Sequence, residues 1–413
     1  MRKTRGALAR VLAVFAGLLV VSMLLAPAVA SASVTTRIAS LLSRHGLGGS
    51  GTSVGVFDLT GEHPLYELRW NVLRLPASNE KLVTSAAALA DWSAAYHFGT
   101  QLYFSGAGPD AAGVLAGDVY LKGLGDPSLR TAGLRAFVAK LQALGVTRIA
   151  DRVLADDGYF DALKTVPSWR PGMVAYCGPL SALTLNEGFG PSGRYVTDPA
   201  LWAAAKLTKL LRAAGIKVVH SAASGVVPAD ATRVGTVSSA ALAHVLARMN
   251  KESDDFYAEE LLKGLGASFG GAGTTAAGAA VAVQSLTSLG ITSGFTIRDG
   301  SGLSYQDKLS AHAIVKLLGA MSRRPDFATY YDSLSVAGVD GTLADRMKGT
   351  RAAGNVHGKT GTLAAASCLS GYVTSANGHL LAFAILMNGS GLSQARAHAA
   401  QDAVAAALAA SAP

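Results

Sequence analysis

Ser78 and Lys81, three residues apart in Ser78-Asn79-Glu80-Lys81, are the pair an acyl-transfer enzyme needs when a lysine rather than a histidine activates its serine. A hydroxyl attacks a carbonyl once a base has taken its proton, and an uncharged amine can be that base. On a helix, positions i and i+3 share a face, so the Lys81 amine can reach the Ser78 hydroxyl. Such a spacing is common in long chains, and its weight depends on what accompanies it. Far downstream lies Lys359-Thr360-Gly361-Thr362, and between the two Ser253-Asp254-Asp255 follows Met249-Asn250-Lys251-Glu252.

The elements that must position these groups can be read from periodicity. Val34 to Arg44 reads as an amphipathic helix stopped by the glycines from Gly46 to Gly51. Thr52 to Leu59 and Leu65 to Trp70 read as strands joined by a turn at Gly61 to Pro64. After Pro76 the chain enters a helix at Ser78, with Leu82, Val83, Ala86, Leu89 and Ala90 as its buried stripe. Ser78 then lies at the N-terminal end, where the helix dipole favours developing negative charge.

From Gly99 to Val234 the texture changes to short strands and glycine turns, with strands in Gly117 to Gly123 and Val146 to Asp156 and a helix over Leu134 to Leu144. A longer apolar helix from Ala240 leads into Ser253, glycines between Gly264 and Gly278 break the next helix, and Phe295 to Arg298 is a short strand. Strands at Ala366 to Thr374 and Leu380 to Met387 and a helix from Ser393 to Ala409 close the chain. This order suggests one α/β domain, residues 33–98 and 237–413, interrupted by an inserted domain over 99–236.

The basic start through Arg10, the apolar run Val11 to Leu25 and the small residues after Pro27 read as a secretory signal peptide over residues 1–32, an uncleaved anchor being the alternative. The protein is therefore expected to cross the cytoplasmic membrane and to work in the periplasm, cell envelope or medium. Without Arg2, Lys3, Arg5 and Arg10 the formal charge falls by four, from +9 to +5. No dense Lys/Arg run is left, so no nucleic-acid partner is expected, only a weak attraction to anionic wall or membrane surfaces. Cys177 and Cys368, 191 positions apart, can form one disulfide or stay as two buried thiols.

Competing motifs fail on context. Gly354 to Thr360 misses the phosphate-loop spacing by one residue, and Gly46-Leu47-Gly48-Gly49-Ser50-Gly51 follows a helix and precedes a strand, the reverse of a dinucleotide site. The nine histidines show no zinc-peptidase spacing. No cofactor and no metal are expected. His357 reads as a strand residue, Asp126 as a turn-stabilising side chain, and the Asp156-Asp157 and Glu259-Glu260 pairs as solvated faces or caps.

Pro76 to Leu82, Asn250 to Phe256 and His357 to Leu363 resemble the three active-site motifs of penicillin-binding proteins, S-x-x-K, S-D-N and K-T-G. Lys122 to Leu129, Asp299-Gly300-Ser301-Gly302-Leu303-Ser304, Val336 to Leu343 and Leu369 to Val373 are similar to one branch, the class C low-molecular-mass D-alanyl-D-alanine carboxypeptidases of the penicillin-binding protein 4 type. The 175 positions between Ser78 and Ser253 fit that branch, whose members carry an inserted domain there. The resemblance implies an α/β penicillin-binding and β-lactamase-like serine transpeptidase fold, an antiparallel sheet flanked by helices. It implies a serine carboxypeptidase, with endopeptidase action on cross-links as an extension, that acts on peptidoglycan stem peptides ending in D-Ala-D-Ala and is inhibited by β-lactams.

Carried over position by position, it makes Ser78 the nucleophile and Lys81 its base, with Ser253 relaying a proton to the leaving amine. Lys359 and Thr360 would hold the terminal carboxylate, Gly361 completes that motif, and the Ser78 and Thr362 amides would form the oxyanion hole. Asp255 departs from the family, which has asparagine there. An amide both donates and accepts, whereas an ionised carboxylate only accepts. Asp255 should hold Lys81 but favour its charged form and repel a peptide carbonyl, which argues for slower acylation or for a protein that binds wall peptides without cleaving them. A serine β-lactamase is a further alternative, but no E-x-x-L-N is found; Leu185-Asn186-Glu187 has the wrong order.

Overall fold

The computed structural model describes residues 33–413, so the signal peptide read over 1–32 lies outside the described residues. The chain opens with helix α1 (Val34–Arg44), whose first turn is capped by the Ser33 hydroxyl accepting from the Thr36 amide. Strands β1 (Thr52–Asp58) and β2 (His63–Leu68) follow, then a 3₁₀ turn (Ala77–Asn79) and helix α2 (Glu80–Asp91). A second group runs through β3 (His97–Phe104), β4 (Val119–Gly123), α3 (Thr131–Ala143), β5 (Val153–Asp156), α4 (Pro199–Ala213), β6 (Ala223–Ser224) and β7 (Thr232–Ala241). Helices α5 (Leu242–Lys251), α6 (Asp255–Phe269), α7 (Thr275–Ser288) and α8 (Ala311–Ser322) lead to β8 (Ser335–Val336), β9 (His357–Leu363), β10 (Ala366–Thr374), β11 (Leu380–Asn388) and α9 (Gln394–Ala409).

The main sheet has the order β8-β9-β10-β11-β1-β2, with every neighbouring pair antiparallel. Alternation along β11 sends Leu381, Phe383, Ile385 and Met387 to a core shared with α1 and α9. Ala382, Ala384 and Leu386 face the opposite core, shared with α2, α6, α7 and α8. Space is short where α8 crosses that face: a Cβ on Gly55, paired with Ala384, would touch Val315 at 3.3 Å. The second sheet, β7-β3-β4-β5-β6, mixes antiparallel and parallel pairs and is packed on α3 and α4 through its own apolar cluster around Leu102, Leu121, Phe137 and Leu207.

Differences from the periodicity have local causes. The strand before Trp70 starts at His63, because Asp58 Oδ1 accepts from the Thr60 and Gly61 amides and tightens the turn; Pro64 is tolerated on this edge strand. Ser78 sits in the 3₁₀ turn, two residues before the α-helix begins at Glu80. Helix α6 does not break at Gly264 but runs to Phe269. Its glycines serve packing: a Cβ on Gly264 would press on Trp92 at 3.2 Å, and one on Gly266 would lie 2.7 Å from Ala272 O. Glu259 and Glu260 are not solvated; both are fully buried on that helix, with Glu259 accepting from the Gly300 and Ser301 amides and Glu260 from Ser181 N. Cys177 and Cys368 are free, buried thiols. Among the described residues no helix is long and apolar enough to cross a membrane.

The α6–α7 contact depends on Gly278, where a Cβ would lie 1.9 Å from the Leu262 carbonyl oxygen. Gly278→Ala should gain about 1 kcal/mol of helix propensity yet lower stability by about 1–3 kcal/mol net through overpacking. Denaturant titration checks this; a stabilised variant would contradict the close packing.

Candidate active site

The site is built where the turn before α2, the α5–α6 junction and β9 meet. Ala77 has left-handed backbone (φ 46°), a conformation costing roughly 1 kcal/mol or more for an L-residue. It is held there by Gly302, where a Cβ would come within 1.9 Å of Ala77 O. Asn79, fully buried, donates from Nδ2 to Lys359 O at 3.1 Å and ties the turn to β9. Gly361 lets that strand lie against the turn: a Cβ there would be 2.7 Å from Pro76 O and 3.0 Å from Ser78 N.

Lys81 has no exposed side-chain surface. Its Nζ donates to three oxygens: Ser78 Oγ at 3.0 Å, Asp255 Oδ1 at 2.5 Å and Ser301 O at 2.8 Å. Those are all the hydrogens an ammonium has. Asp255 reaches it from the first turn of α6, which Asp254 caps by accepting from Tyr257 N at 3.1 Å. Ser253, between α5 and α6, is also left-handed (φ 58°), and its Oγ accepts from Lys359 Nζ at 2.9 Å. Lys359 is fully buried and donates also to Thr360 O at 3.0 Å. Burial first, and then the neighbouring Lys81 charge, hold its amine well below the ordinary lysine range, against a smaller opposing pull from Asp255.

Ser78, Ser253, Asp255, Thr360, Gly361 and Thr362 all line one open cleft of about 480 Å³. Lys81 and Lys359 lie beneath its floor. The remaining walls were not legible as site residues: Met173 and Tyr176 come from a helical turn (Val174–Cys177) and its N-cap inside the stretch read as an insertion, Leu303 and Tyr305 from the loop between α7 and α8, and Thr342 from a 3₁₀ turn. Thr342 Oγ1 accepts from Thr360 Oγ1 at 2.8 Å. His357 is a β9 residue stacked on Tyr331 with ring centroids 3.8 Å apart. Asp126 Oδ1 accepts from the Ser128 amide and hydroxyl and so fixes its turn.

Compared with known protein families, residues 34–192 and 190–411 match the D-Ala-D-Ala carboxypeptidase 3 (S13) family. The chain belongs to that family. An S13 relative, the D-alanyl-D-alanine carboxypeptidase of Actinomadura sp. (strain R39), is 33% identical over 434 aligned residues, covering 85% of this chain and 80% of the relative. A carboxypeptidase of Mycobacterium tuberculosis is 28% identical over 81% of this chain and 75% of its own. Among solved structures, penicillin-binding protein 4 from Haemophilus influenzae superposes with a TM-score of 0.81 at 19% identity, over 91% of this chain and 99% of that one. The chain is thus a serine peptidase of the S13 family with the penicillin-binding protein 4 fold, and a D-alanyl-D-alanine carboxypeptidase by family.

For this S13 protein, Gly361 is a cleft-lining position with no room for a side chain. Gly361→Ala should lower the rate of Ser78 acylation by about 100-fold, as about 1 Å of misplacement can, while leaving the melting temperature within a few degrees. Stopped-flow acylation with a fluorescent penicillin measures it, and an unchanged rate would show that β9 can retreat from the turn.

Proposed function

We propose that Ser78 of this carboxypeptidase is the acylated serine, working on peptidoglycan stem peptides that end in D-Ala-D-Ala. The contact carrying the reading is Lys81 Nζ at 3.0 Å from Ser78 Oγ, on a cleft floor where a second hydroxyl, Ser253, is bonded to a second buried lysine. Lys81, once neutral, takes the Ser78 proton as the hydroxyl attacks the penultimate D-Ala carbonyl. The amides of Ser78 and Thr362 receive the oxyanion; donors of this kind each contribute about 3–4 kcal/mol to the transition state. Ser253 passes a proton to the departing amine, terminal D-Ala leaves, and water hydrolyses the ester.

Lys359 and Thr360 bind the terminal carboxylate in this scheme. Asp255 takes the place of the family's asparagine as the acceptor that holds Lys81, and an Asp255→Asn variant that acylates faster than the parent would locate the cost of the carboxylate. Cross-linked peptides are a second substrate class, since the cleft is open at its mouth. Residues 1–32 serve as the export signal that brings the enzyme to the cell envelope.

Two measurements test the reading. A fluorescent penicillin should leave its adduct on Ser78, found by mass spectrometry, and Ser78→Ala should neither label nor release D-Ala; labelling that persists in Ser78→Ala removes Ser78 from the role. A wild type that binds the peptide but never releases D-Ala, and gains release with Asp255→Asn, would instead be a non-cleaving wall-peptide binder. Rapid cephalosporin turnover would favour a β-lactamase.

The pH profile follows from Lys359. A lysine whose amine is held low keeps its cation only at lower pH, and the cation is lost as pH rises through that lowered value. For a peptide with a free C-terminus, kcat/KM should therefore fall on the alkaline side well before the 10.5 of an ordinary lysine. Lys359→Arg should push that limb upward, because guanidinium stays charged. The same limb with a C-terminally amidated depsipeptide would detach it from carboxylate binding.

A further inference from the structure

Behind the floor of the cleft four carboxyl groups share one buried pocket. Glu80 and Glu259 come from α2 and α6, Asp299 and Asp307 from the segment between α7 and α8, and all are buried. Burial, and after it the neighbouring Asp299 and Glu259 charges, raise Glu80 well above the usual carboxylate range. Burial and Asp299 do the same to Glu259 and push Asp307 up to about 12. No substrate can reach these groups, and a buried acidic cluster needs a reason to be there.

The backbone that three of them hold supplies it. Glu259 Oε1 accepts from Gly300 N at 3.0 Å and from Ser301 N at 2.8 Å. Asp299 Oδ1 accepts from Gly302 N at 2.7 Å, and its Oδ2 from Ser304 N at 2.7 Å and Trp169 Nε1 at 2.7 Å. Asp307 Oδ1 accepts from Arg298 N at 2.5 Å. Six donors of one loop and its neighbour thus end on three carboxyls, and the loop cannot shift without losing several bonds at once. In the middle of it lies Ser301 O, the acceptor for Lys81.

The consequence for Lys81 is directional. A neutral amine has two hydrogens and one lone pair. With Asp255 Oδ1 and Ser301 O each taking one hydrogen, the lone pair has one direction left, toward Ser78 Oγ. We propose that Asp299 and Glu259 are positioning residues for Lys81: they fix the Ser301 carbonyl, which with Asp255 turns the lone pair of the base onto the Ser78 hydroxyl. This rests on the assignment of Ser78 and Lys81 made above. It adds to the machinery two carboxylates that never touch substrate.

The two residues use their oxygens differently, and that makes the test. Glu259 works through Oε1 alone, its Oε2 having no partner, so an amide at 259 can keep both loop bonds. Asp299 uses both oxygens, so an amide at 299 must turn its NH₂ toward a backbone N–H and lose an acceptor. Acylation by a fluorescent penicillin, followed over a range of concentrations on folded protein, separates the binding constant from the acylation rate constant. Asp299→Asn should lower the rate constant about 10- to 100-fold, the scale of a misplaced catalytic group, with the binding constant little changed. Glu259→Ala should show the same loss, and Glu259→Gln should recover most of it.

An Asp299→Asn protein that melts like the parent and acylates at the parental rate overturns the proposal, as does a loss that falls on binding alone. If Asp299→Asn does not fold, the Glu259 pair decides: Gln as slow as Ala means that the carboxyl, not the loop contact, was needed. A parent that is never acylated at Ser78 would remove the assignment itself, and the positioning role with it.

Discussion

A side chain that ends in an amine cannot be buried without acceptors for its hydrogens, and Lys81 has no exposed surface at all. Its three acceptors come from three separate parts of the chain: Ser78 from the turn before α2, Asp255 from the start of α6 and Ser301 from the loop before α8. The surrounding packing can be understood as what keeps those three oxygens around one nitrogen. Glycine is required where backbone segments close on the site, at Gly302 against Ala77 and at Gly361 against Pro76 and Ser78. The left-handed backbone at Ala77 persists because those contacts over-determine it.

The electrostatics is arranged in layers. Two buried lysines, Lys81 and Lys359, lie beneath the cleft, and Lys359 responds to both burial and its twin by giving up its charge more readily. Asp255 stands against Lys81 with part of its side chain exposed. Behind them lie the buried carboxyls of Glu80 and Asp307, both raised above the usual carboxylate range by burial and by neighbouring acids; Asp307 accepts from the Arg298 amide, whereas neither Glu80 oxygen has a partner among the described residues.

The candidate site was legible in the sequence because Ser78, Lys81, Ser253, Asp255 and Lys359, which the fold brings together, stand in short motifs whose residue types are rare in combination. Periodicity located the closing strands and α9 to within a residue or so, since each is a long run with one dominant buried face. It failed where a third dimension decides. Gly264 and Gly266 look like helix breakers in one dimension and are contact points in three. Glu259 and Glu260 look like solvent-facing charge, and only the loop brought against α6 explains their burial. Met173 and Tyr176 carry no motif, and their place at the cleft follows from how residues 160–180 fold back onto α6.

The pairing of β1 with β11 sets Thr52 opposite Met387, so the ends of the chain are joined at the centre of the sheet. During synthesis β1 can pair with β2 at once, but its other edge must wait for nearly the whole polypeptide before β11 covers it, and the turn bearing Ser78 must wait for β9. Contacts of such long sequence separation form late. The second sheet, closed within residues 97–241, has no such delay. A nascent or truncated chain therefore holds Ser78 and Lys81 as neighbours in sequence while Asp255, Ser301 and β9, which surround them in the folded protein, are still missing.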